Sequence, residues 1–110
     1  MSAYRSGLVY IGDSLAGRIC ETAEGYQFSY VPEWLSMPDA RAVSLMLPLR
    51  EEPYTSTTLF PFFDGLIPEG WLLEVAVQNW KLDRRDRFGL LLTACRDCIG
   101  NVSIQGEEQP

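Results

Sequence analysis

Histidine is absent from this chain, which removes the side chain most often used as a base at neutral pH. Cysteine is scarce, at three residues, an odd number that does not pair off as the even sets of small secreted domains do. Three thiols without a histidine also fall short of the four Cys or His ligands of a structural zinc site. Basic residues are in deficit, 9 against 15 acidic ones, for a formal charge of −6. Nucleic-acid binders carry the opposite balance, because a basic patch must displace counterions from phosphates. An anionic membrane repels the same excess of negative charge. Long apolar runs are missing too: after Met1-Ser2-Ala3-Tyr4-Arg5, residues 8–11 form an apolar stretch of only four. A signal peptide needs more, and a membrane helix needs about 20 residues. Direct DNA or RNA binding and membrane insertion are therefore not expected, and the cytoplasm is the expected compartment.

What the chain does have is apolar content. At 110 residues and 46% hydrophobic, it falls in the range of one folded domain, expected over 1–110 with its core at about 8–104 and a frayed tail at 106–110. Leu8-Val9-Tyr10-Ile11 and Leu15-Ala16-Gly17-Arg18-Ile19-Cys20 read as two strands joined by a hairpin turn at Gly12-Asp13-Ser14. Tyr26, Phe28 and Tyr30 alternate with polar residues and predict a third strand with one aromatic face, entered through a turn at Glu24-Gly25. Pro32 and Pro38 bracket a one-turn helical or irregular piece with Trp34 and Leu35. Residues 43–47 read as a fourth strand ended by Pro48, and the polar stretch 50–58 as a loop. A helix fits 71–80, with Leu72, Val75, Ala76 and Asn79 on one face. A second helix, capped by Asp83 or Asp86, would align Phe88, Leu91, Leu92 and Cys95. Gly100 precedes a last strand at 101–105. The sum is an α+β domain, a small, mostly antiparallel sheet with helices packed beside it.

Several strings imitate catalytic motifs. Gly12-Asp13-Ser14-Leu15 spells the block in which GDSL esterases carry their serine nucleophile. A serine hydroxyl needs a positioned base to take its proton, and no histidine is present to do so. Gly12 to Gly17 has the glycine spacing of a phosphate-binding P-loop, but Arg18 and Ile19 stand where that motif requires Lys and then Ser or Thr. Cys95-Arg96-Asp97-Cys98 has redox or zinc spacing, yet falls near a helix end, where no N-terminal dipole lowers a thiol pKa. Buried, inert thiols are the expectation. Asp86-Arg87-Phe88-Gly89 and Phe63-Asp64-Gly65 echo the metal-binding Asp-Phe-Gly of kinases without its catalytic-loop partner, and read as capping and turn residues. No catalytic constellation is complete, so a non-enzyme without cofactor or metal is expected.

The aromatic stretch from Phe60 to Trp71 is the unusual feature. Phe60, Phe62 and Phe63 fit a core corner beneath the following helix. Trp71 follows Pro68-Glu69-Gly70, a turn that can present it at the surface, and Trp is a common interface anchor. Phe62-Phe63-Asp64-Gly65-Leu66-Ile67-Pro68-Glu69-Gly70-Trp71, with Pro48-Leu49-Arg50 before it and Arg96-Asp97-Cys98-Ile99-Gly100-Asn101-Val102 after it, resembles the N-terminal subdomain of HipA-type toxin kinases. The opening pattern at Val9-Tyr10 and Gly17-Arg18 fits as well, so the resemblance runs from about Leu8 to Ile104.

In a full-length kinase of that type, the subdomain is followed by the rest of the N-lobe and a helical C-lobe with the ATP and magnesium sites. Here the sequence ends just after the final strand, so it looks like the small HipS-like members of three-part HipB–HipS–HipT toxin–antitoxin systems. The resemblance implies an antitoxin that holds a HipT-like Ser/Thr kinase inactive, in a larger complex with a HipB-like DNA-binding protein. The alternative is a structural subdomain that assembles a split kinase complex without inhibiting it. Under either reading the partner-binding residues expected are Trp71, Glu69, Asp64 and Phe63, and an acidic surface suits a basic partner. If Cys95 and Cys98 are packing residues, changing both to Ser lowers stability by about 1–2 kcal/mol, as ordinary core substitutions do. Chemical denaturation reads that loss, and metal analysis of the purified protein then finds no stoichiometric zinc.

Overall fold

A computed structural model describes residues 4–67, 78, 85–94 and 101–107. Five strands form one antiparallel sheet in the order β4-β3-β2-β1-β5. They are β1 (Ser6–Ile11), β2 (Ser14–Thr22), β3 (Gly25–Tyr30), β4 (Tyr54–Ser56) and β5 (Val102–Gly106). The helices among the described residues are α1 (Pro32–Leu35), α2 (Pro61–Asp64) and α3 (Arg87–Ala94).

The β1–β2 hairpin forms as its turn chemistry predicts. Ile11 faces Ser14 across a two-residue connection, and Gly12 takes φ 61°, the positive value that primed hairpin turns need at their first central residue. The register shifts between Val9 and Tyr10, so that Val9 faces Gly17 and Tyr10 faces Leu15. This leaves Ala16 without a partner on β1, and its carbonyl instead accepts the Val31 N–H at 2.9 Å, catching the chain as it leaves β3. The bulge thus sets where β3 ends and α1 begins.

Alternation then decides the core. Register brings Ile104, Val9, Gly17 and Tyr30 into one cross-strand row, and Gly7, Ile19, Phe28 and Tyr54 into the next. Val9, Ile19, Phe28 and Ile104 are fully buried on this face. Gly17 is required there: a Cβ at this position would lie 2.5 Å from the Ser29 carbonyl oxygen and 2.8 Å from the Phe28 ring. Phe63 of α2 and Phe88, Leu90 and Leu91 of α3 complete the core. The opposite face carries Arg18, Gln27, Ser29 and Gln105 between half-buried Leu8, Tyr10 and Cys20. Burial raises the Cys20 thiol pKa, the reverse of what a reactive cysteine needs.

Three expectations are corrected. Residues 43–47 are not a strand but a tight turn, bridged between Ser44 and Leu47. Val43 and Leu47 point inward while Leu45 and Met46 stand in solvent, so an apolar run that reads as continuous is split between two environments. The Tyr30 hydroxyl clasps this turn, accepting the Val43 N–H at 3.0 Å and donating to the Leu47 carbonyl. Its burial lifts the phenol pKa above the ordinary value, which keeps the donor in place. The polar stretch 50–58 contains β4, a three-residue edge strand too short and polar to announce itself. The last strand extends to Gly106, and the Glu107 N–H bonds the Ser6 carbonyl at 2.9 Å, so the tail is ordered further than expected. The helix predicted at 71–80 and the Cys95–Cys98 pair lie outside the described residues.

Asp86, one of the two expected caps, starts α3. Its carboxylate accepts the Gly89 N–H at 3.2 Å and its carbonyl accepts the Leu90 N–H at 3.0 Å. The same carboxylate receives two N–H bonds from Arg5, at 2.7 and 2.9 Å, while Arg5 also bonds Glu21 of β2 through its side chain and its backbone N–H. Arg5 further lies 5.5 Å from the Phe88 ring centroid. One guanidinium therefore ties the sheet to the start of α3. Hydrogen bonding to Arg5 is the main reason that Glu21 and Asp86 hold their carboxylates below the usual pKa, and the Arg5 pKa rises in return.

The folded pKa values of Glu21 and Asp86 lie below the unfolded ones, about 4.3 and 3.9. Their stabilisation is thus complete above that range and is lost as pH falls through the lower folded values. Arg5→Met should lower stability at pH 7 by about 1–2 kcal/mol, a discounted figure for two partly exposed pairs. It should also flatten the acid limb of the stability curve, measured by urea denaturation between pH 7 and pH 2.

Candidate partner-binding site

The Phe60–Ile67 segment is built from the sheet outward. Phe60 precedes α2 with extended ψ, and Pro61 occupies the first helical turn, where its missing N–H costs nothing. The four-residue helix, Pro61–Asp64, is closed by the Gly65 N–H to the Pro61 carbonyl at 2.9 Å. The Leu66 N–H to Phe63 and Ile67 N–H to Asp64 bonds then continue the turn. Ile67 is buried at its end, so the chain is pinned at both Phe63 and Ile67.

Phe63 is the hub. It is completely buried, with ring centroids of Phe28 at 5.3 Å, Phe62 at 5.2 Å and Phe60 at 6.2 Å in tilted or edge-on arrangements. Expected among the contact residues, it has no surface to offer. Its place is in the core, against Phe28, Phe60 and Phe62, while the helix expected above this group lies outside the described residues. Phe62, by contrast, is only half-buried at the edge of the cluster.

Asp64 sits one residue on and half in solvent. Its carboxylate accepts the Arg87 Nε–H at 2.8 Å, and its carbonyl accepts a second Arg87 N–H at 3.4 Å. The pair joins α2 to the first turn of α3. Asp64 and Asp86, the two aspartates of the kinase-like Asp-Phe-Gly echoes, both serve structure, one bracing two helices and the other capping α3, while the Asp64 side chain also keeps part of its surface in solvent. Trp71 and Glu69 lie outside the described residues. The Gly12-Asp13 pair of the esterase-like string forms the β1–β2 turn, with Ser14 half-buried as the first residue of β2. Among the described residues no helix is long and apolar enough to cross a membrane, and no cluster of three or more potential metal ligands occurs.

Sequence reading missed the clasp formed by Tyr30, whose hydroxyl has no signature beyond an aromatic on a core face. It also missed the cross-chain pairing of Arg5 with Asp86, 81 positions apart.

With the sheet and the α2 turn in place, comparison with known proteins defines the class. Residues 7–105 match the model of the HipA N-terminal domain, Couple_hipA. The solved N-terminal domain of HipA toxin is 32% identical and superposes with a TM-score of 0.72, covering 100% of this chain and 99% of that one. The chain belongs to the HipA N-terminal domain family. An uncharacterized protein of Haemophilus influenzae is 37% identical over 105 residues, which are 96% of this chain and 95% of that protein. The putative kinase Y4mE of Sinorhizobium fredii is 32% identical over 82 residues, 74% of this chain but only 20% of the kinase. What is matched in these proteins is the HipA N-terminal domain, which is not the catalytic kinase domain.

Truncating the hub separates support from contact. Phe63→Ala should cost about 3–5 kcal/mol, the usual loss for a buried phenylalanine. Asp64→Asn should cost less than about 1 kcal/mol, because its ion pair is half-exposed. Guanidinium denaturation of the two variants reads both values.

Proposed function

We propose that this chain is an antitoxin, a HipS-like protein that binds and inhibits a HipT-like Ser/Thr kinase in a system that includes a HipB-like DNA-binding protein. The observation that carries this reading is how the domain is distributed among its relatives. It makes up nearly all of the Haemophilus protein and about a fifth of a putative kinase. A domain found both beside a kinase in one chain and almost alone in another fits a separate subunit that docks where the fused copy sits. The absence of histidine anywhere in the chain fits a role by binding rather than by acid–base chemistry.

In this reading Trp71 is the anchor on the kinase, beside or within its active-site cleft, and Glu69 pairs at the rim. Asp64 contributes at the edge of the same turn, and Phe63 holds that turn from beneath. A tryptophan on a turn supplies large apolar contact at small entropic cost. An acidic domain approaches a cleft that must bind ATP, and so is basic, with favourable long-range attraction. The fusion in the putative kinase favours a second reading, an assembly subdomain that stabilises its kinase without inhibiting it.

Co-expression with a HipT-like kinase that lacks this domain tests the first reading. The chain should restore growth and, when purified with the kinase, suppress autophosphorylation. A stable complex with undiminished kinase activity would select the assembly reading, and no complex would reject both. Trp71→Ala should keep the melting temperature yet weaken kinase binding by about 2 kcal/mol or more, as measured by calorimetry. Unchanged binding would remove Trp71 from the interface.

A further inference from the structure

The chain between α1 and β4, residues 36–53, is a long connection for a compact domain, where loops beyond about 12–15 residues are uncommon and usually functional. Three aromatic side chains hold it. The Trp34 indole N–H bonds the Arg41 carbonyl at 2.9 Å, the Tyr30 hydroxyl clasps Val43 and Leu47, and the Tyr54 hydroxyl bonds the Pro48 carbonyl at 2.6 Å. Between these anchors the turn holds its two apolar residues out in water, Leu45 at 97% and Met46 at 81% exposure. Burying a leucine or methionine stabilises a fold by roughly 1.5–3 kcal/mol, so a firmly held loop that leaves both outside forgoes that gain.

The tip does not stand alone. Met46, Leu47, Tyr54, Phe60, Pro61 and Phe62 line a mostly apolar groove of about 310 Å³, together with the two remaining residues of β4. The groove is lined in part by β4, which is the edge strand of the sheet among the described residues. Residues 60–62 lead straight into the segment that carries Asp64, so this surface adjoins the α2 turn.

Charge decides between occupants. Exposed Glu51 and Glu52 precede Tyr54 on the loop, and Arg50 is laid over the Tyr54 ring at 3.7 Å and donates to the Glu52 and Pro53 carbonyls. A second copy seated here would bring together two chains that each carry −6. A partner of positive charge gains from that same net charge. Continuity with the fused relative points the same way, since four-fifths of that putative kinase lies outside the domain and is available to pack on it.

We infer that Leu45, Met46 and the groove between the 43–47 turn and α2 form the docking face for a kinase polypeptide whose contact surface is apolar at its centre and basic at its edge. This rests on the reading of the preceding subsection and adds to it a surface distinct from Trp71. The exposed tip enters an apolar recess of the kinase, and an apolar side chain of the kinase fills the groove.

The test uses the full chain and a catalytically inactive HipT-like kinase. Two double variants, Leu45→Glu/Met46→Glu and Leu45→Ser/Met46→Ser, change only side chains that stand in solvent, so both should melt with the wild type. Both should bind the kinase at least about tenfold more weakly by calorimetry, the loss expected of central apolar contacts. Wild-type affinity in either variant overturns the proposal while leaving the kinase-binding reading intact. Failure of the wild type itself to bind the kinase rejects that reading and this one together. Sedimentation of the isolated chain closes the remaining route: a dimer that the serine variant splits into monomers assigns the face to a second copy and overturns the proposal.

Discussion

The contact between Phe28 and Phe63 holds the two halves of the chain together. Phe28 stands at the middle of the sheet's core face, paired to Ile19 on one side and to Tyr54 on the other. Phe63 is the only completely buried residue of α2. Through this stack α2 is seated on the sheet, while β5 joins it directly by pairing with β1. The Tyr30 ring, 4.9 Å from Phe28 and edge-on to it, extends the same stack and brings its hydroxyl to the 43–47 turn. One aromatic seam therefore sets the seat of α2, the path of the long loop and, at Gly17, the closeness of β2 and β3.

Charge is arranged around that seam unevenly. Arg5, Arg18 and Arg87 are each committed to carboxylates within the chain, and Arg50 lies flat on Tyr54. Arg18 binds Glu107, which also accepts the Ser6 hydroxyl, fastening β2 to the end of β5 and holding the Glu107 pKa down. Meanwhile Asp13, Glu24, Glu33, Asp39, Glu51 and Glu52 are exposed. Each of these ion pairs cancels a carboxylate along with a guanidinium, so the net negative charge is carried outward by the exposed acidic residues, with exposed Arg41 and Arg85 among them.

The sheet was largely legible because its strands announce themselves by local rules. Gly12-Asp13 between two largely apolar runs, and aromatics at every second position from Tyr26 to Tyr30, need no distant information. Asp86 as a cap was legible for the same reason. Residues 43–47 misled because a short apolar run is the same string whether it lies in a sheet or is divided between core and solvent. What divides it is the Tyr30 hydroxyl, 13 positions away from Val43 and 17 from Leu47. Tyr and Thr favour strands, but three residues within a polar stretch are too few to announce one, and β4 forms against the edge that β3 offers. Within the 60–67 segment a periodicity argument cannot separate Phe63, which is completely buried, from Asp64, which shows at the surface.

The pairing of β1 with β5 has a consequence for ancestry. Gly7 lies opposite Gly106, so the polypeptide enters and leaves this sheet at neighbouring points on one edge. A gene can then be split or joined at that edge without opening a strand ladder or disturbing the Phe28 seam. Changing what the domain is joined to would then require no redesign of its interior. Its relatives span both arrangements, from a protein it almost fills to a kinase in which it is one-fifth of the chain.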